Sequence, residues 1–396
     1  MIAYYFLAVI SCWIGIKSLL GGVRFARYVR RETSRALPYY QPFVSVIAPT
    51  RGFERGFVEN VRPLLSQAYP GYEVLFVFDR AEDPSVALVN DSRARVVISG
   101  PANGTGQKVH NLITAVGAID PRAEVIVFVD TDARPSENWL RQLVAPLVDE
   151  NVGASTGYRW FVPERGGVAS RLRAVWNASI ASALGADSAK NFCWGGSTAI
   201  RRSTFERLNV VDHWRGTVSD DFTITRVLKE ANLPIHFTPN CLVASVGDCG
   251  WRELVEFTTR QIKITRVYAR HLWVALLLGS ALFCIAFFGG IVLLVTRMWR
   301  GESFWLVLAL LLVIFVLGAA KGFIRWRAVN VPLASYRAAL RRDLAAQIFL
   351  WPFAQLLYFY NAIVAAFSKR ITWRGITYDL RSPTEAVIIS RVPDDE

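Results

Sequence analysis

Five consecutive apolar residues, Val125-Ile126-Val127-Phe128-Val129, run directly into Asp130-Thr131-Asp132 and end at Ala133-Arg134-Pro135. A mostly β-branched run without polar alternation reads as a strand covered on both faces, which calls for a parallel sheet between helical layers. Ligands of such sheets bind at the carboxyl ends of the strands, where this carboxylate pair falls. Two close carboxylates repel unless a positive charge joins them. A divalent metal carrying a phosphorylated substrate meets that need. The plain alternative is a solvated turn in which Asp132 caps the next helix.

The remaining sequence repeats this pattern. Val44–Ala48 and Tyr72–Phe78 read as strands ending at Thr50 and Asp79, and Arg95–Ser99 reads as a short third strand. Helical stretches follow from Glu54 to Gln67 and from near Lys108. Strand and helix alternation of this kind gives an α/β fold with a mostly parallel sheet. Thr50, Asp79 and the Asp130/Asp132 pair then lie at successive strand ends, suited to a nucleotide held across the sheet edge. Beyond Asp132 the pattern is less regular. Helices are expected over Arg171–Leu184 and from Val218 to Ala231, with a glycine-broken segment, Cys193-Trp194-Gly195-Gly196-Ser197, entering a strand.

Four apolar stretches frame this soluble middle. Apolar residues make up 53% of the 396 positions and charged residues only 19%, a balance that points to a membrane protein with a soluble portion. Ile2–Leu20 is followed by Arg24, Arg27, Arg30, Arg31 and Arg35, which suits an uncleaved anchor with the next segment inside. Leu272–Val295 and Phe304–Phe323 are spans. The stretch Leu344–Phe367 carries Gln347, Pro352, Gln355 and Asn361 and is either a kinked span or a re-entrant element. The formal charge of +13 gathers beside these spans, as on a protein lying against an anionic leaflet, and not as a nucleic-acid groove. Five cysteines show no metal spacing, and a reduced cytosolic catalytic portion fits them better than a disulfide framework. The expected divisions are an anchor over 1–23, a catalytic domain over 40–250 and an amphipathic interfacial helix over 251–271. Two spans follow over 272–324, then a basic loop with the third apolar segment over 325–367, and a tail over 368–396.

This order of features resembles the inverting family 2-like glycosyltransferases with the GT-A nucleotide-sugar fold, and within them the ceramide glucosyltransferase family. The resemblance rests on Asp79, on Asp130-Thr131-Asp132, on Asp221 in Ser219-Asp220-Asp221-Phe222, and on Lys108 with Asn111. It extends to the tail Trp373-Arg374-Gly375-Ile376-Thr377-Tyr378. At Arg260-Gln261-Ile262-Lys263-Ile264 the family's Arg-Trp pair is replaced by Lys-Ile. Lysine is a point charge without arginine's planar fork, and an aromatic surface on the acceptor side is lost.

The resemblance implies a multi-pass membrane enzyme with a cytoplasmic catalytic domain. It would move glucose from UDP-glucose to a lipid hydroxyl, ceramide first, with Mn2+ or Mg2+ as cofactor. Asp132 is then the metal ligand, with Asp130 on the ribose or behind the metal. Asp79 and Lys108 hold the base or ribose beside Thr50, and Arg260 and Lys263 are candidates for the diphosphate. For the last two, membrane-surface basicity is the alternative. An attacking hydroxyl must lose its proton to a carboxylate within hydrogen-bond reach, a role that falls to Asp221, with Asp220 as runner-up. Helix capping is the other reading of that pair. Gly195, Gly196, Ser197 and Trp194 are expected on the acceptor side, where a tight turn and core packing are the alternatives. Rival readings are transfer to a hopanoid, diacylglycerol or polyprenyl phosphate, processive polysaccharide synthesis, and a catalytically dead membrane scaffold.

Overall fold

The structure is a computed structural model that describes residues 2–52 and 56–392. The start of the expected helix at Glu54 lies outside them; Phe57–Leu65 is helical. The chain divides into a sheet unit, residues 31–160, 184–246 and 369–396, and a helical unit, residues 1–30, 161–183 and 247–368.

The sheet unit is built on β1 (Val44–Pro49), β2 (Tyr72–Phe78), β3 (Ala94–Ile98), β4 (Val125–Val129), β5 (Ala154–Val162), β6 (Ser197–Arg201) and β7 (Ile235–Val246). Their order is β3-β2-β1-β4-β6-β5-β7. The pairs β3/β2, β2/β1 and β1/β4 are parallel, and β6 runs antiparallel to both β4 and β5. Every residue of β2 and β4 is buried, β4 as an uninterrupted apolar run requires, and β2 with its one charge, Glu73, held by Ser45 and Arg95. On one face Ile47, Leu75, Ile126 and Phe128 pack with Leu112, Phe205, Trp214 and Leu228 from the covering helices. Each such side chain contributes roughly 1.5–3 kcal/mol through burial.

The chain leaves β1 for β2 on one side and returns to β4 on the other. The switch in strand order therefore lies between β1 and β4, where ligands of open α/β sheets bind. Strands β5 and β7 have no counterpart in the sequence reading. In place of a plain tail, residues 370–391 form an antiparallel sheet of β8 (Arg370–Trp373), β9 (Ile376–Ser382) and β10 (Glu385–Arg391). The two-residue β8–β9 turn has positive φ at both Arg374 (47°) and Gly375 (72°), the geometry that matches strand twist in a tight hairpin.

Among the described residues three helices are long and apolar enough to cross a membrane: Ile2–Thr33, Arg270–Trp299 and Trp305–Val329. Close approach of the first and third is set by glycines. A Cβ on Gly15 would stand 3.0 Å from Leu317, and one on Gly22 would stand 3.1 Å from Lys321. Contacts at 15/317 and 22/321 make these two helices parallel. The apolar stretch 344–367 is broken at Leu350 into Leu344–Phe349 and Trp351–Phe367, with Pro352 in the first turn of the second helix. The side-chain oxygens of two of its polar residues meet protein partners. Gln347 Oε1 accepts from Arg325 at 3.0 Å, and Asn361 Oδ1 accepts from Thr259 at 3.0 Å. The helix Trp251–Tyr268 is the expected amphipathic element.

Candidate active site

The carboxyl end of β4 carries a cluster of opposite charges. Asp130 accepts from Lys108 at 2.8 Å through Oδ1 and from Arg159 at 3.0 Å through Oδ2. The other arm of the Arg159 fork donates to Asp132 Oδ2 at 3.1 Å. Lys108 also reaches Asp220 Oδ1 at 3.3 Å. Lys108 comes from the first turn of helix Gln107–Val116, Arg159 from β5 and Asp220 from the first turn of helix Asp220–Glu230. Burial works against the lysine's charge, but Asp130, Asp220 and Asp221 outweigh it and hold the ammonium above its ordinary range. Burial likewise opposes the charge on Asp130, and Lys108 with Arg159 overcomes it, so that carboxyl titrates low. Asp220 goes the other way. Burial raises it to about 6, Lys108 opposes, and Asp221 and Asp130 add to the rise.

The glycine-broken segment crosses this cluster. A Cβ on Gly195 would fall 2.1 Å from Asp220 Oδ2 and 2.9 Å from Lys108 Nζ. One on Gly196 would fall 2.2 Å from the Trp194 ring and 2.8 Å from Asp130 Oδ2. Both positions therefore exclude a side chain. The Trp194 ring lies 4.9 Å from the Arg159 guanidinium and 5.5 Å from the Tyr158 ring, so it supports the arginine fork from one face. The Ser197 hydroxyl is buried and accepts from Trp139 Nε1 at 2.9 Å.

Asp220 and Asp221 are adjacent but differently placed. Asp220 is buried against Lys108, whereas Asp221 is half-buried. Asp221 Oδ1 accepts from the Ser219 hydroxyl at 2.5 Å and from the Phe222 amide at 2.8 Å. Ser219 is the helix N-cap, so capping and an accessible carboxylate coexist here.

At the end of β2, Asp79 pairs with Arg51, whose Nε donates to the Arg374 carbonyl of the β8–β9 turn at 2.9 Å. Tyr378 on β9 accepts the Gln107 amide at 3.1 Å, closing an open donor at the start of the helix that carries Lys108. The Trp373–Tyr378 motif thus braces two corners of the site. Thr50 is buried at the end of β1, its hydroxyl on the Ala48 carbonyl at 3.2 Å. The β1/β2 register, carried two residues past its last pair, brings Arg51 level with Asp79, while Asp132 lies in the turn that follows β4.

The residues fit a divalent metal bound in part by substrate. Among the described residues no group of three or more His, Cys, Asp or Glu side chains forms a cage. Asp132 Oδ1, however, is buried and has no hydrogen-bond partner, as is true of Asp79 Oδ1 and Asp220 Oδ2. Three carboxylates face two cations at β4, leaving negative charge for an added cation. One or two carboxylates with phosphate oxygens make a usual set for Mg2+-type ions.

Thr50, Asp79, Lys108, Asp130, Asp132, Gly195, Gly196, Ser197, Trp194, Asp220 and Asp221 all belong to the sheet unit. Arg260 and Lys263 belong to the helical unit, on the helix Trp251–Tyr268. There Arg260 lies 5.7 Å from the Phe257 ring, and Lys263 donates to Ser368 at 3.3 Å. The sequence reading missed Arg51 and Arg159. A lone cation within the aromatic run Tyr158-Arg159-Trp160-Phe161 was the available signal, since a buried strand tolerates a charge only when it is paired.

A model of glycosyl transferase family 21 matches residues 3–386. Among solved structures, the mannosyltransferase PcManGT from Pyrobaculum calidifontis, in complex with GDP-Man and Mn2+, is 20% identical with a TM-score of 0.46. That match covers 91% of this chain and 99% of the other. Glucosyl-3-phosphoglycerate synthase from Mycobacterium tuberculosis, in complex with Mn2+ and UDP-glucose, is 18% identical with a TM-score of 0.34, covering 56% and 77%.

Proposed function

This chain belongs to glycosyl transferase family 21, the ceramide glucosyltransferase family, and we propose that it transfers glucose from UDP-glucose to the primary hydroxyl of ceramide with inversion. The observation that carries the reading is the pair of buried, unpartnered carboxylate oxygens, Asp79 Oδ1 and Asp132 Oδ1, at strand ends on either side of β1. Asp79 accepts from the nucleoside while Arg51 fixes its other oxygen. Asp132 would hold the divalent ion, with Asp130 beside it toward the ribose. That ion supplies Lewis-acid stabilisation of the departing diphosphate. Lys108 and Arg159 hold Asp130 ionised, and the Arg159 fork orients Asp130 and Asp132 together, so the site is ordered before the donor arrives.

Asp221 takes the acceptor proton as the hydroxyl oxygen attacks the anomeric carbon and the bond to the diphosphate breaks. Its half-exposed position, against the burial of Asp220 behind Lys108, favours it as the base. The part of Arg260 and Lys263 in diphosphate binding is proposed from the sequence alone.

Arg24, Arg27, Arg30 and Arg31 toward the end of the first long helix, with Arg325 and Arg327 at the end of the third, favour a cytoplasmic catalytic portion. The stretch 344–367 is read as an element that does not cross. Its proline break and the partnering of Gln347 and Asn361 support this.

The Lys263-Ile264 departure favours a second acceptor reading, a different lipid hydroxyl. Purified protein given UDP-glucose, Mn2+ and a bacterial or eukaryotic lipid extract, followed by mass spectrometry, decides between them. Hexosylceramide supports the first reading and a hexosyl adduct on another lipid the second. No hexosyl lipid from any extract would overturn both.

A further inference from the structure

The helical unit carries a partly open cavity of about 280 Å³. Its apolar wall includes Ile14, Leu276, Phe283 and Leu317, and its polar end is formed by Lys321 and Arg325. Both cations sit on one face of helix Trp305–Val329, four residues apart. Lys321 Nζ donates to the Ser18 hydroxyl at 2.7 Å, and Arg325 to Gln347 Oε1 at 3.0 Å. These partners are neutral, and among the described residues no carboxylate pairs with either cation. Arg325 is 3% exposed, and its Nε has no hydrogen-bond partner. Ser11 Oγ and Trp351 Nε1, which also line the cavity, are buried and unpartnered too.

Neutral hydrogen bonds orient a buried cation but do not balance its charge. A buried Arg325 and a half-buried Lys321, with spare donors beside a mostly apolar wall, specify a ligand with an anionic head and a hydrocarbon body. At 1.5 Å per residue, Lys321 and Arg325 stand about 24–30 Å along the helix from Trp305. That is the far edge of a hydrocarbon layer about 30 Å thick, where headgroups begin. The depth selects a lipid over a soluble anion.

We propose that this cavity is a binding site for an anionic membrane phospholipid, its phosphate held by Lys321 and Arg325 and an acyl chain lying along the apolar wall. The proposal does not depend on the acceptor assignment.

The test uses the full chain, delipidated in detergent and exposed to phosphatidylcholine vesicles with or without phosphatidylglycerol. Native mass spectrometry reads retained lipid, and thermal unfolding reads stabilisation. Phosphatidylglycerol should be retained in preference and raise the unfolding midpoint. Lys321→Gln and Arg325→Gln should each weaken retention by about fivefold, the loss of roughly one interfacial charge. Arg325→Lys should keep the preference, and if Arg325→Gln does not fold, Lys321→Gln decides alone. Equal retention of the two lipids, or an unchanged preference in Lys321→Gln, would overturn the proposal. So would inorganic phosphate alone reproducing the stabilisation, which would make this a free-anion site.

Discussion

Gly195 passes so close to Asp220 that a Cβ on the glycine would stand 2.1 Å from the carboxylate Oδ2. The contact fixes where the glycine loop crosses the charged cluster, and it leaves the loop no room to carry a side chain. Gly195→Ala must push either the loop or Asp220 aside, and Lys108, 2.9 Å from the same point, blocks one way out. Displacement near 1 Å at a reacting centre costs about a hundredfold in rate, so transfer should fall by that order. Overpacking should also cost about 1–3 kcal/mol of stability. Steady-state kinetics and thermal unfolding of the variant check both, and near-normal kinetics would show that the loop can yield.

Arg159 forks between Asp130 and Asp132, so the two carboxylates share one guanidinium in the absence of another cation. Arg159→Gln should therefore destabilise the metal-free protein by roughly 1–3 kcal/mol and make its stability depend on Mn2+. Asp132→Ala should behave differently. It should abolish transfer and the Mn2+ response together while leaving the metal-free unfolding midpoint near that of the parent. Unfolding scans with and without Mn2+ or a chelator separate the two variants. A wild-type enzyme equally active after chelation would remove the metal from the reading.

Asp220 and Asp221 should respond oppositely to amidation. Asp221→Asn should lower transfer by about 10²–10⁴, the range of a lost general base, with UDP binding retained. Asp220 carries a linkage signature instead. Its carboxyl is raised to about 6 in the folded protein, against about 3.9 in an unfolded chain. Between those values the folded state holds a proton that the unfolded state has released. Its contribution to stability is therefore greatest at low pH and falls as pH rises through the window, with the full penalty present above about 6. Asp220→Asn removes the ionisation and should stabilise the protein by on the order of 2 kcal/mol at pH 8, with little effect near pH 4. Unfolding midpoints of variant and parent across that range test the sign.

The left half of the sheet was legible because apolar runs bounded by Thr50, Asp79 and Asp130 advertise both strand and strand end. The charged cluster was half legible. Carboxylates at strand ends stand out, but Arg159 lies inside β5, and the irregular texture after Asp132 hid that strand. The segment 370–391 reads as a tail carrying the Trp373–Tyr378 motif, without strands. Its strands are short, and their order in space depends on contacts with Arg51 and Gln107 from far away in the chain, which no local pattern encodes. Asp220 and Asp221 were correctly paired in sequence. Their division into a buried and a half-exposed carboxylate appears only once Lys108 is brought against one of them.

Tyr378 links that tail to the donor side of the site. Its hydroxyl accepts the Gln107 amide at 3.1 Å, one residue before Lys108. The first amides of a helix have no partner within the helix, and here the tyrosine supplies one. Tyr378 is fully buried, so Tyr378→Phe leaves the amide without a replacement. The cost should be about 1–3 kcal/mol in stability. Because Gln107 also holds the Gly100 carbonyl and the Ala102 amide, freeing its backbone loosens the loop after β3 together with the start of the Lys108 helix. The variant should accordingly show a raised KM for the nucleotide sugar, with kcat reduced less than in Asp221→Asn. A kcat loss with KM unchanged would mean that Tyr378 acts on the acceptor side, and unchanged stability would mean that water satisfies the amide.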